Sequence, residues 1–271
     1  MSVPPAAPPP YQAYSIAGQT ALVTGASSGI GEACAWRFAE AGCKLVLVAR
    51  RAERLAALQQ AIQQHYNVPV HTIVLDVQDL EAIARLPAEL PAEFREVDIL
   101  LPNAGLALGV ASVHELDMQD AATMINTNVL SVMALVRAFT PSMVVRNRGH
   151  LLFMSSIAGR EAYSGGGGYC ASKHALEAFA TSARHDLVGT NIRVTSIQPG
   201  AVKTEFSVVR FKGDGSKADA VYEGIHPLLA ADIADNTLYA CTRPPHVQVA
   251  EMLVFATYQC SAKVIARVLK E

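Results

Sequence analysis

From Thr20 onward the chain alternates short apolar runs with longer stretches of helical periodicity, and this rhythm restricts the fold more than any single motif. The runs Thr20–Thr24, Lys44–Ala49, His71–Val77, Asp98–Leu101, His150–Ser155 and Arg193–Ile197 are rich in Val, Ile and Leu and lack polar alternation. A strand with one wet face alternates apolar and polar residues, so these read as strands covered on both faces. Helical patterns separate them at Gly31–Ala41, Glu53–Gln64, Asp117–Arg146 and Ala171–Val188. Strand–helix alternation of this kind calls for right-handed crossovers and a parallel sheet with helices on both sides. The expected fold is α/β, a doubly wound parallel sheet of about seven strands, the last near Val249–Phe255.

Composition narrows the partners. The chain has 271 residues, 51% of them hydrophobic, which fits one large domain or two small ones. No second composition regime appears, so residues 18–271 are read as one domain and 1–17 as a disordered, Pro-rich arm. Met1–Pro10 carries five prolines and no pattern of a secretory signal. Segment 201–227 breaks the rhythm and reads as a substrate loop, because connections of that length are usually functional. With 22 Lys and Arg against 24 Asp and Glu, the net charge of −2 gives no polyanion attraction, so nucleic acid is not an expected partner. The most apolar stretch, Val129–Val145, is interrupted by Arg137 and Pro141 and is shorter than the roughly 20 residues of a membrane span. The five widely spaced cysteines form no CxxC pair and read as buried thiols of a reducing cytoplasm. The eight histidines show no metal-ligand spacing, and no metal is expected.

The first strand runs straight into Thr24-Gly25-Ala26-Ser27-Ser28-Gly29-Ile30-Gly31 and then a helix. Glycines at such a turn let the backbone approach a pyrophosphate while the helix N-terminus offers free N–H groups. In this setting the expected fold is Rossmann-type. The end of the second strand selects the nucleotide, since a carboxylate there suits the ribose of NAD and a cation the 2′-phosphate of NADP. Here it reads Val48-Ala49-Arg50-Arg51, which points to NADP, with a solvated helix start as the alternative. Asp76 and Val77 end the third strand beside the adenine edge; a helix N-cap is the other reading of Asp76. Asn103-Ala104-Gly105 follows the fourth strand at the edge where ligands of such folds bind.

The chemistry lies further on. The fifth strand ends in Ser155-Ser156, and Tyr169 and Lys173 follow in Tyr169-Cys170-Ala171-Ser172-Lys173. Four residues apart on a helix, Tyr169 and Lys173 share a face, and an ammonium beside a phenol lowers the phenol's pKa. The expected shift is from about 10 toward 7, matched to proton transfer at a carbonyl or alcohol oxygen. A serine at the neighbouring strand end can hold the same oxygen. Alone, YxxxK is a common surface pairing; with the glycine loop, NAG and the upstream serines it is specific.

Over residues 18–257 the chain resembles the short-chain dehydrogenases/reductases, with TGASSGIG, NAG, SSIAG, YCASK and PGAVKT in the family's order. The resemblance implies that Ser156, rather than Ser155, orients the substrate carbonyl. It makes Tyr169 the acid/base and gives Lys173 the nicotinamide ribose. Asn128 would anchor a proton relay, and Pro199, Gly200, Val202 and Thr204 would flank the nicotinamide. It also implies a homotetramer. The stretches LPNAGLALG (101–109) and TEFSVVRFKGD (204–214) look like NADP-dependent 3-hydroxy acid dehydrogenases. Such a substrate needs a cation for its carboxylate, and Arg160, Arg210 and Lys212 are the candidates, each otherwise a solvated charge. The alternatives are a broad carbonyl or 3-oxoacyl reductase, for which Lys203, Arg210, Lys212 and Lys217 would form a carrier-docking patch, and a non-catalytic NADP-sensing protein.

Overall fold

Every apolar run becomes a strand: β1 (Thr20–Thr24), β2 (Lys44–Ala49), β3 (Val70–Val74), β4 (Val97–Leu101), β5 (Gly149–Met154), β6 (Ile192–Pro199) and, last in the chain, β9 (Glu251–Val254). The computed structural model describes residues 12–267. All seven strands are parallel, in the order β3-β2-β1-β4-β5-β6-β9. The chain therefore winds outward from β1 to β3, then crosses back to lay β4 on the other side of β1. That reversal opens a crevice at the carboxyl ends of β1 and β4.

Strand residues alternate between two cores. Leu45 and Leu47 face one side, under α1 (Gly29–Glu40), α2 (Ala52–Tyr66) and α8 (Ala230–Cys241). Val46 and Val48 face the other, under α3 (Leu80–Glu89), α4 (Met118–Arg146) and α5 (Gly167–Asp186). Both faces are dry, which explains the missing polar alternation. Helices α3 and α8 carry no clear mark in the sequence. In α3 Pro87 sits inside the helix, which begins where Asp79 accepts the Ala82 N–H at 2.9 Å.

Helix α4 corrects the reading of Val129–Val145. Pro141 lies inside it without ending it, and the helix runs unbroken for 29 residues, long and apolar enough to cross a membrane by length and composition. Its Val132, Leu135, Val136, Phe139 and Met143 are buried against the sheet. At Asn126–Leu130 the helix widens into one π turn, a distortion frequent at functional sites.

Ile16 is buried in the core and the Tyr14 N–H donates to the Thr242 carbonyl at 2.8 Å, so the packed structure begins before residue 18. The proposed arm Met1–Pro10 lies outside the described residues. Segment 201–227 is built rather than open: β7 (Val202–Lys203) pairs with β8 (Leu228–Leu229), and α6 (Phe206–Arg210) and α7 (Gly215–Ala220) lie between them. All five thiols are free; four are buried as expected, whereas Cys260 is exposed.

At the opposite edge of the sheet the buried Asp98 gathers three donors: Thr20 N–H at 3.1 Å, Arg146 Nη1 at 2.6 Å and Arg148 Nε at 2.9 Å. It ties the start of β1 to the end of α4. Asp98→Ala leaves Arg146 partly buried without its partner and is expected to lower unfolding stability by about 3 kcal/mol, measured by urea titration.

Candidate active site

The crevice is a cleft of about 710 Å³ that runs from Arg50 and Arg51, past Tyr169, to the C-terminal residues 259–267. Its floor is the turn after β1. Thr24 holds that turn to the end of β4: its carbonyl accepts from Asn103 Nδ2 and its hydroxyl from the Ala104 N–H, both at 3.0 Å. The approach is so close that a Cβ on Gly31 would lie 2.4 Å from the Gly25 carbonyl oxygen and 2.5 Å from Asn103 Nδ2. Gly25 itself has φ +67°, in the left-handed region. No side chain caps the N-terminus of α1, so its first N–H groups remain available to an anion in the cleft. This bare, close-packed cradle fits a pyrophosphate.

At the nucleotide end, Arg51 lies across the turn. Its Nε donates to Ser27 Oγ at 3.0 Å, its Nη2 to Ser28 Oγ at 2.6 Å and its Nη1 to Glu205 at 2.9 Å. Arg54 donates to the other oxygen of Glu205 at 2.8 Å. Arg50 is more exposed and pairs with Asp76 at 3.5 Å. The N-cap reading of Asp76 falls away, because Asp79 caps α3; Asp76 instead accepts the Gln78 N–H at 3.0 Å. No carboxylate ends β2. Two serine hydroxyls beside two guanidinium groups suit a 2′-phosphate.

At the reaction end, Ser156, Tyr169 and Lys173 line the same cleft as Ala104, Gly105, Pro199, Gly200, Val202 and Thr204, while Val77 lines it beyond β3. The Tyr169 ring lies 5.5 Å from that of Phe206, and the Lys173 ammonium 5.9 Å from the Tyr169 ring. The electrostatics correct the sequence expectation. Burial raises the Tyr169 pKa well above 10, and hydrogen bonding with Ser156 offsets only part of that. Lys173 donates to the Met154 carbonyl at 2.8 Å, and burial pushes its own pKa down to about 8. With the ammonium disfavoured by the same dry surroundings, the protein alone keeps the phenol protonated. A protonated phenol beside a serine hydroxyl is a donor to a carbonyl oxygen.

Ser155 is buried with its hydroxyl unpartnered, whereas Ser156 is a hydrogen-bond partner of Tyr169. Asn128 sits in the π turn of α4. Its Nδ2 donates to the Leu106 carbonyl at 2.8 Å and to Ser172 Oγ at 3.0 Å, while its Oδ1 accepts the Leu106 N–H at 2.9 Å. Its side chain thus clamps the NAG loop onto α5.

The three substrate candidates part company, and Lys212 does not line the cleft but pairs with Asp120. Arg210 reaches the cleft, donating to Tyr163 Oη at 3.1 Å and, at longer range, to the carbonyls of Gly109 and Gly165. Arg160 does not line the cleft; it pairs with Gln198 and Glu251 in a separate shallow groove. The supposed carrier-docking patch is partly neutralised, with Lys212 on Asp120 at 2.8 Å and Lys217 on Asp214 at 3.0 Å. Sequence reasoning passed over Arg54, Glu205, Tyr163 and Lys263; of these only Glu205 lies in a stretch singled out by the sequence, TEFSVVRFKGD (204–214). Among the described residues no group of three or more His, Cys, Asp or Glu could hold a metal ion.

A doubly wound sheet carrying a glycine cradle, a buried Tyr-Lys pair and a half-buried serine beside it defines a nucleotide-dependent oxidoreductase scaffold. The short chain dehydrogenase profile matches residues 19–214, and the chain belongs to that family. It is 46% identical over 251 residues to an NADP-dependent 3-hydroxy acid dehydrogenase of Schizosaccharomyces pombe, covering 92% of this chain and 97% of the relative. A sulfoacetaldehyde reductase of Chromohalobacter salexigens is 44% identical, with 88% and 94% covered. Among solved structures, the closed form of a serine dehydrogenase complexed with NADP+ superposes with TM-score 0.86 at 38% identity, covering 93% of this chain and all of that one.

Two outcomes follow from the site. Arg51→Ala is expected to cut the preference for NADPH over NADH by about tenfold or more, read from the two dissociation constants. Burial of Lys173 works against its charged form, a cost fully present below pH 8 and relieved as pH rises toward 10.5. The stability advantage of Lys173→Met over wild type is therefore expected to shrink by about 3 kcal/mol across that window, measured by denaturation at each pH.

Proposed function

We propose that this protein transfers hydride between NADP and a small hydroxy acid or its carbonyl form. The observation that carries the reading is one cleft with Arg51 seated on Ser27 and Ser28 at one end and Ser156, Tyr169 and Lys173 at the other. The nicotinamide, when bound, donates or accepts the hydride. The protein's part is position and proton handling. Gly25, Ser27, Ser28, Gly29, Ile30 and Gly31 cradle the pyrophosphate, while Asp76, Val77, Asn103, Ala104 and Gly105 line the nucleotide's path. Pro199, Gly200, Val202 and Thr204 flank the nicotinamide end, and Lys173 holds the ribose. Ser156 orients the substrate oxygen, and Tyr169 gives its proton to that oxygen in reduction and takes it back in oxidation. Asn128 keeps the NAG loop in place. Arg210 contributes positive charge to the substrate end.

A cytoplasmic homotetramer completes the reading, supported by the family resemblance and by Leu130, Val144 and Val145 exposed on α4. Mixing the protein with NADPH and a panel of small carbonyl compounds, followed by loss of absorbance, tests the reaction. Turnover of small oxo acids or sulfo-aldehydes ahead of bulky ketones is expected. NADPH binding without turnover of any substrate would instead mark a nucleotide sensor.

A further inference from the structure

The cleft ends, beyond Tyr169, under a C-terminal hairpin. Gln259 pairs with Ile265, the Cys260 N–H donates to the Val264 carbonyl at 3.0 Å, and the Ala266 N–H to the Tyr258 carbonyl at 2.9 Å. Two side chains fasten it down. Gln259 Oε1 accepts the Ala201 N–H at 2.9 Å, and a Glu161 carboxylate oxygen accepts the Ala262 N–H at 2.8 Å. The Gln259 anchor is tight, since a Cβ on Gly200 would lie 2.2 Å from that same oxygen. The hairpin turn thereby carries Lys263 to the mouth of the cleft.

There the Lys263 ammonium stands 4.5 Å from the centre of the Tyr163 ring, within cation–π range. Tyr163 is itself a fixed platform. Its hydroxyl accepts from Arg210, and its ring packs so closely on the glycine run that a Cβ on Gly166 would lie 2.3 Å from a ring carbon. The same ring belongs to the apolar cluster around Tyr169, so platform and reaction centre share one wall. The two cations differ in what they have left to give. Each guanidinium nitrogen of Arg210 faces a protein acceptor, which commits three of its five N–H donors. Lys263, among the described residues, has no carboxylate within ion-pair distance. Partial burial and the nearby Arg210 both work against its charge, so an anion arriving in the cleft would relieve both.

We infer that Lys263, held over Tyr163, receives the anionic group, carboxylate or sulfonate, of the substrate whose reacting carbon sits at Ser156 and Tyr169. The inference rests on the proposed action on small anionic substrates and adds which residue reads the charge. Its contribution is a charge-assisted contact made equally by any small acid of the right length, so it acts mainly through KM.

The test compares 3-hydroxybutanoate with its uncharged methyl ester, and adds 2-hydroxyethanesulfonate, for wild type, Lys263→Met and Lys263→Arg. Wild type is expected to favour both anions over the ester in kcat/KM. Lys263→Met should lower the acid-to-ester ratio about tenfold, chiefly by raising KM for the anions, and Lys263→Arg should restore most of it. A melting curve and NADPH titration of each variant confirm that the fold and nucleotide site are intact. An acid-to-ester ratio in Lys263→Met equal to that of wild type overturns the role of Lys263 and leaves the substrate class standing. A wild-type enzyme that does not favour the anions overturns the substrate class and the role together.

Discussion

Thr24 locks the carboxyl ends of β1 and β4 together, and every functional group is placed relative to that lock. Its carbonyl and hydroxyl take the Asn103 amide and the Ala104 N–H, so the glycine turn and the NAG loop become one surface. The lock works only because Gly31 has no side chain to force the two apart. Asn128 extends it, holding Leu106 by both polar atoms of its amide and bonding Ser172 on α5. Ser172 lies one residue before Lys173 and three after Tyr169. A sheet junction is thus connected through five hydrogen bonds to the helix that carries Tyr169 and Lys173.

Dryness does the electrical work at that pair. Tyr169 and Lys173 are both nearly inaccessible, and burial drives each toward its neutral form, the phenol by raising its pKa and the amine by lowering its own. An exposed pair four residues apart would have behaved in the opposite way, with the ammonium stabilising the phenolate and lowering the phenol's pKa. The interior therefore keeps a phenolic proton in place at neutral pH, next to a serine that can share the substrate oxygen.

The sheet was legible from the sequence because both its faces are covered: with no wet side, each strand reads as an unbroken apolar run, and β1 and β2 match their expected limits residue for residue. β3 falls furthest short of its expected end, since Leu75–Val77 leave the sheet to line the cleft, while β5 and β9 each stop one residue early. The glycine turn and the Tyr-Lys pair were legible because both are local, fixed by spacing within one turn and one helix. What escaped was long-range. Glu205 joins Arg51 across 154 residues, and Lys263 comes to Tyr163 across about a hundred, through a hairpin whose anchors are single side chains. Arg160 failed as a candidate for the converse reason: being near the serines in sequence does not settle which way a side chain leaves the backbone, and Glu251 on the edge strand draws it to another groove. The Tyr169 pKa was misjudged because helix spacing reports a neighbour's distance but not the burial of the pair.

The proposed role of the buried phenol is tested most directly by Tyr169→Phe, which removes one oxygen and leaves the ring to pack against Phe206. Turnover with NADPH should fall by about a thousandfold while the NADPH dissociation constant stays within about threefold of wild type. A phenylalanine variant that reduces the same carbonyl substrate at close to the wild-type rate would show that the proton comes from elsewhere.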